Sequence, residues 1–478
     1  MVITGVERNA SKGFRLPGST YRQRGKVRVG RLVGALLAAI LLMGLCASTA
    51  SAATRPSSSG SIDLTASSTY PAHEIGITPT TIRIGMIADV NTPVQPGLFK
   101  QSVQEVQAWA AIVNRHGGLA GRKVVIDFCD SMLNPNTTTN CVIRACANDF
   151  AMITAAIELS DVSDIADCKN AEGDPVGIPN SVGLALNPYE SCSPSVLTAT
   201  DTTFCKTLND HPQTYSVLVA DTRYYLSHFK DLHGIWIYDG DVPDLTISYL
   251  PGFVESNRLG IGKDAEGYYT AADAAPESAL LPFVEDIKQY HSTFVLDGVS
   301  PGSMILLRRE AALQGVNTVK VWACNPGCYD TSFLAQGGSV VNGTYTYLTT
   351  LPFYSECQIN PTLVALVKQL GGKGCSVLQG NALYSFIAAL LLQDGIQKVV
   401  STGKVLNRQN LYTATRTLHT FDADGITGPE DIGGGKAAYC IVMVKVINGK
   451  WQRVFPKKPG TFDCSPDNSA TIKLNENF

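Results

Sequence analysis

The sequence predicts an α/β protein whose parallel sheets are covered by helices on both faces. Three observations lead there. Short apolar runs rich in β-branched residues alternate with segments of helical periodicity, once from Thr80 onward and again from His233. The apolar runs lack clean in–out alternation, as expected of strands buried on both faces. Each strand-like run also gives way to small, polar or acidic residues before the next helical segment, the punctuation of a βαβ chain.

The first 52 residues stand apart from that pattern. Arg8, Lys12, Arg15, Arg22, Arg24, Lys26, Arg28 and Arg31 face a single acid, Glu7, and precede the uncharged run Leu32 to Cys46. A basic flank, a short apolar core and the small-residue exit ASTASA together read as a secretory signal cleaved after Ala52. The apolar run is too short to span a bilayer comfortably. Lipid attachment at Cys46 is the alternative, although Leu45 stands where a lipoprotein signal wants a small residue. Residues 53–75 are Ser-, Thr- and Ala-rich without periodicity and read as a flexible leader.

The folded body begins near residue 76. Thr81 to Asp89 is a buried strand, and Val103, Val106, Trp109 or Ala110, and Val113 mark one face of the helix that follows. Gly117-Gly118 closes that helix, because glycine adopts the left-handed conformation needed there. Lys123 to Phe128 is the next strand, Thr138 to Asn148 a helix, and Phe150 to Ile157 a strand. A helix near Val162 to Asn170 and a strand from Pro175 to Val182 complete the first series. The second series has strands at His233 to Asp239, Ser292 to Gly298 and Thr318 to Cys324. Its helices are Glu277 to Tyr290, with Pro282 in the first turn, and Ser303 to Gln314, ended by Gly315. Phe386 to Leu392 is a buried core helix, too short an apolar run to cross a membrane. Near the end, Asn448-Gly449 is the tight turn of a hairpin.

Charge and cysteine content bear on function. Losing eight basic residues and one acid with the signal takes the formal net charge from −3 to −10, which argues against nucleic acid as a partner. Twelve cysteines remain: Cys129, Cys141, Cys146, Cys168, Cys192, Cys205, Cys324, Cys328, Cys357, Cys375, Cys440 and Cys464. An even number in an exported chain reads as disulfides, and their grouping along the chain suggests that consecutive cysteines pair. Cys324 and Cys328 have the spacing of half a zinc site, but no matching half lies nearby. No nucleophile elbow, phosphate-cradling loop or metal-ligand histidine spacing occurs, and Gly433 to Gly435 lacks the flanking strand and helix of a dinucleotide site. The absence of these motifs lowers the expectation of catalysis without excluding it, and the expectation is of no cofactor, metal or enzyme activity.

In open parallel sheets, ligands bind outside the carboxyl ends of strands. Five loops qualify: ADVNTP with Asp89 and Asn91, ELSD with Glu158 and Ser160, LALNP with Ala185, YDGD with Asp239 and Asp241, and NPGCYD with Asn325, Tyr329 and Asp330. Small, polar and acidic side chains suit a small polar solute bearing an ammonium or amide.

The ordered series ITPTTIRIGMIAD, VNRHGGLAGRKVVIDFCD and GIPNSVGLALNP resembles the amino-terminal lobe of type I periplasmic solute-binding proteins. More narrowly it looks like the branched-chain amino acid receptor group of ABC transporters, on Asn114, Gly117, Gly118, Gly121, Arg122, Lys123 and Asp130. SVVNGTYTYLTTLPF, FDADGITGPEDI and INGKW continue the likeness, which covers about residues 76 to 456. The resemblance implies two Rossmann-like lobes with parallel central sheets, joined by a three-strand hinge and closing on a solute. It implies lobe 1 from 76–205 plus 343–445, and lobe 2 from 206–342 plus 446–478. Ser160 matches the position that receives an amino acid carboxylate and Ala185 a backbone contact, while Leu186 replaces the family's threonine and Glu158 is unusual in its loop. Asp239, Asp241, Tyr329 or Asp330 would receive an ammonium. The implied activity is capture of an amino acid-like solute, such as a branched-chain amino acid or amide, by a monomer that delivers it to an ABC permease. A ligand-sensing ectodomain acting with a separate signalling partner is the alternative.

Overall fold

The computed structural model describes residues 70–92, 96–156, 165–183, 185, 190, 193, 195–205, 213–240, 243–270 and 277–474. The expected export signal and most of the expected leader, within residues 1–69, lie outside them.

The first sheet is all parallel, in the order β2-β1-β3-β4-β5. Its strands are β1 (Thr81–Ala88), β2 (Lys123–Asp130), β3 (Ala151–Ala155), β4 (Asn180–Val182) and β5 (Val196–Thr198). α1 (Lys100–Arg115) buries Val103, Val106, Trp109 and Val113, the stripe its spacing predicts. Gly117 and Gly118 take φ of 96° and 81°, and the Gly118 N–H closes the helix on the Val113 carbonyl at 3.0 Å. Asn114 then clamps helix to strand: its amide accepts from the Val124 N–H at 2.8 Å and donates to the Val124 carbonyl at 2.9 Å. α2 (Pro135–Asn148) starts three residues earlier than its apolar pattern suggests, because Asn134 caps it through the Thr137 N–H and Pro135 opens it. β4 is shorter than the apolar run around it. Pro175 and Pro179 lack N–H donors and Gly177 has φ of 79°, so only the last three residues join the ladder.

The second sheet has the order β14-β13-β12-β11-β10-β8-β9. A separate antiparallel sheet joins β6 (Thr203–Cys205), β7 (Gln213–Leu218) and the terminal β15 (Ser469–Leu474). In the seven-stranded sheet, β8 (His233–Asp239), β9 (Gly262–Tyr269), β10 (Phe294–Asp297), β11 (Val321–Cys324) and β12 (Thr344–Leu348) run parallel. β13 (Val442–Ile447) and β14 (Lys450–Phe455) form the hairpin around Asn448-Gly449, whose φ values of 51° and 70° suit a type I′ turn. The helices of this part are α3 (Ala220–His228), α4 (Pro243–Leu259), α5 (Leu281–Tyr290), α6 (Pro301–Leu313) and α7 (Thr331–Gly337). Ser300 forms a capping box with Ser303, and this starts α6.

The chain passes three times between the two sheets with the helices packed on them: after β5, after β12 to a helical segment that contacts β3 and β4, and back before β13. After the second passage come α8 (Phe353–Glu356), α9 (Pro361–Gln369), α10 (Gly380–Ser401) and α11 (Arg408–Thr415). α10 is long and apolar enough to cross a membrane by composition, but 72% of its most apolar window is buried, against α1, β3 and β4. It is a core helix. Disulfides join Cys129–Cys141, Cys146–Cys168, Cys324–Cys328, Cys357–Cys375 and Cys440–Cys464, all neighbours in cysteine order. Cys192 and the side chain of Cys205 lie outside the described residues.

Candidate functional site

A concavity partly open to solvent lies at the carboxyl ends of β10, β11 and β12. Parallel strands end there with their loops and the following helices turned the same way, so the fold itself makes the concavity. Leu296, Gly298 and Ala323 come from the strand ends, and Tyr347 from β12. α3 contributes Asp221 and Tyr225, and α4 contributes Tyr249, Phe253 and Ser256. Thr202 and Thr203, on the chain's passage between the sheets, complete the wall.

The electrostatics of this wall are acidic. Burial raises the Asp221 carboxyl to about 6, against hydrogen bonds from the first N–H groups of α3. Burial and the carboxylates of Asp201 and Asp239 raise the Tyr249 phenol. The Tyr347 phenol is raised too, chiefly by burial and then by Asp221, while Thr202 hydrogen-bonds it. Asp201 is 5% exposed; burial and neighbouring Glu190 hold its carboxyl well above the ordinary range. One of its oxygens, Oδ2, makes no hydrogen bond. Glu190 is buried and accepts the Thr154 hydroxyl at 2.7 Å, at the end of β3.

The side chains expected at strand ends divide between cavity and scaffold. Asn325 lines the cavity, while its Oδ1 accepts from the Gly327 N–H at 2.9 Å within the turn closed by Cys324–Cys328. Asp239 ends β8, 9% exposed and within electrostatic reach of Tyr249 and Asp297. Asp89 is fully buried and accepts from the Ser131 hydroxyl at 2.7 Å and the Leu133 N–H at 2.8 Å, which holds the loop after β2. Asn91 donates to Asp130 at 2.6 Å. Tyr329, 1% exposed, packs edge-on against Phe353 and beside Trp451. Asp330 caps α7 through the Ser332 N–H. Ala185 is buried. Glu158, Ser160 and Asp241 lie outside the described residues. Asp201, Asp221, Tyr225, Tyr249, Phe253 and Tyr347 are not at the strand-end loops that sequence reasoning selects. Only the run of tyrosines in α3 and the acid directly after a strand hinted at them.

Comparison with known proteins decides the fold's name. Residues 81–208 match the sequence profile of the periplasmic binding protein family. A fatty acid ABC transporter substrate-binding protein from Thermomonospora curvata superposes with a TM-score of 0.62 at 17% identity, over 82% of this chain and 98% of that one. This is the type I periplasmic binding protein fold. A leucine-binding protein from Thermotoga maritima shares it, with a TM-score of 0.56 at 17% identity over 78% of this chain and 97% of the other. So does a Rhodopseudomonas palustris ABC transporter solute-binding protein, solved in complex with 3,4-dihydroxybenzoic acid. Its TM-score is 0.57 at 16% identity, over 80% and 98% of the two chains. No curated protein matches in sequence. In the type I periplasmic binding protein fold of ABC transporter substrate-binding proteins, then, the described cavity occupies the carboxyl edge of the second sheet, beside a passage between the sheets.

Proposed function

We propose that this chain is an exported solute-binding protein that captures a small polar, amino acid-like solute between its lobes and passes it to an ABC permease. The observation that carries the reading is the cavity, open at strand carboxyl ends and walled in part by the interlobe passage at Thr202 and Thr203. A wall built from both the second lobe and a hinge segment changes shape when the lobes move, which couples occupancy to closure. The chemistry is binding and release, with no bond made or broken. Residues 1–52 direct export and are removed after Ala52, residues 53–75 tether the body, and the protein works as a monomer. Lobe 1 comprises 76–205 plus 343–445, and lobe 2 comprises 206–342 plus 446–478. Within the second lobe, Asn325 is the expected strand-end residue that lines the cavity, and Asp239 lies within electrostatic reach of Tyr249 on its wall.

Thermal unfolding against a panel of amino acids, amides, amines and small carboxylates tests the reading. A true solute at a hundred times its dissociation constant stabilises the folded state by about 2.7 kcal/mol and raises the midpoint in a concentration-dependent way. Turnover of an amide or ester, with no solute raising the midpoint, would overturn it.

A further inference from the structure

Among the described residues, the cavity wall holds one carboxylate, Asp221, and several aromatic rings but no base. Asp221 reaches it from the first turn of α3, among Tyr225, Tyr249, Phe253 and Tyr347. No lysine, arginine or histidine is among its described lining residues. Behind Thr202 and Thr203 stands Asp201, buried, with one carboxyl oxygen that has no hydrogen-bond partner. The fields of Asp201 and Asp239 converge on the Tyr249 hydroxyl, and those of Asp201 and Glu190 oppose each other. Among the described residues, no cation appears among the groups that act on Asp201, Asp221 or Tyr249.

A solute entering such a site is selected by charge. A carboxylate would shed its water, meet the like-charged Asp221 and find no cationic partner among the described lining residues. A neutral solute would leave Asp221 uncompensated. An ammonium answers both demands, because it neutralises a half-buried carboxylate and is attracted to the faces of aromatic rings. The apolar part of the lining, Leu296 and Phe253 with the tyrosine rings, then has area to cover a hydrocarbon or aromatic body.

We propose that the cavity receives an organic amine that carries no carboxylate, with its ammonium directed to Asp221 and its apolar body against Tyr249 and Phe253. The inference rests on the solute-binding reading and narrows its ligand class from amino acid-like solutes to amines. Asp221 and the rings of α3 and α4 are then the specificity determinants.

Isothermal titration of the purified protein near neutral pH, with probes of one shape and different charge, tests it. The probes are phenethylamine, phenylalanine, 3-phenylpropanoate and phenethyl alcohol, with calcium chloride as a separate arm. The expected result is that phenethylamine binds at least about tenfold more tightly than the zwitterion, the anion or the alcohol. Asp221→Asn should erase most of that preference, and Asp221→Glu should restore part of it. The charge series on the unsubstituted protein carries the test even if Asp221→Asn does not fold. Phenylalanine or 3-phenylpropanoate binding as tightly as the amine would overturn the inference and leave the solute-binding reading standing. Binding of calcium alone would overturn it as well. If none of these probes and no member of the wider solute panel binds, both readings fall.

Discussion

Glu356 and Arg453 make a two-pronged ion pair beside the second passage between the sheets. The Arg453 Nε donates to Glu356 Oε1 at 2.6 Å and Nη2 to Oε2 at 2.7 Å, with side chains 6% and 7% exposed for arginine and glutamate. Arg453 Nη1 also donates to the carbonyls of Pro456, at 3.1 Å, and Thr461, at 2.7 Å, and Glu356 Oε2 accepts the Gly460 N–H at 2.9 Å. The pair thus ties α8, which the chain reaches on leaving β12, to β14 and the loop after it. Replacing Glu356 by Met leaves the guanidinium buried without its counter-charge, and such breaks cost about 3–5 kcal/mol. Arg453→Met strands the carboxylate and two backbone carbonyls, so its cost falls in the same range of about 3–5 kcal/mol. The double variant removes both charges and fills the space with apolar side chains. It should be more stable than the sum of the single losses, by a coupling of about 1–3 kcal/mol. Urea unfolding of the four proteins measures the cycle. Additive losses, or single variants costing less than about 1 kcal/mol, would refute the claim that this pair is buried and mutually compensated.

Gly118→Ala should lose about 1–3 kcal/mol by urea unfolding, because its φ is 81° and a Cβ would sit 1.9 Å from the Arg122 carbonyl oxygen. Replacing Cys357 and Cys375 by alanine should cost about 3 kcal/mol in the loop-entropy account, read from the shift in denaturant midpoint. Thiol titration of the unfolded, unreduced protein should find none of the ten cysteines in the described bridges free. Asp297 is fully buried, and burial raises its carboxyl from 3.8 to about 7. Because the folded form holds that proton more tightly, its contribution is complete below pH 3.8 and is lost as pH rises through about 7. The stability of the protein relative to Asp297→Asn should therefore fall between pH 4 and pH 8, and an unchanging difference in urea unfolding would contradict the shift.

How far the sequence reaches depends on whether a signal is local. The first βαβ unit was legible because helix periodicity, a double glycine and a β-branched run are each steric preferences within a few residues. Disulfide pairing of near neighbours was legible for a similar reason, since short loops bring such thiols together in any compact arrangement. β9 was not, because Gly262–Tyr269 is a polar edge strand with little burial to mark it. Arg408 was not either. It opens a helix and looks like a solvated cation, yet it is fully buried and donates to the carbonyls of Phe150, Lys169, Cys146 and Asp149.

By itself the sequence determined the fold class, the order of most strands and helices, the expectation of export and the absence of a recognisable catalytic motif. Periodicity, turn chemistry and composition act at short range, so they can be read along the chain. The tertiary structure alone decided that Ser469–Leu474 pairs with Gln213–Leu218, and that Asp89, Asn91 and Asp330 support loops and caps. It alone brought Asp221, Tyr249 and Tyr347 to one cavity with Thr202. The reason is physical. Desolvation and the field of one carboxylate on another depend on distances between segments far apart in sequence, and folding sets those distances.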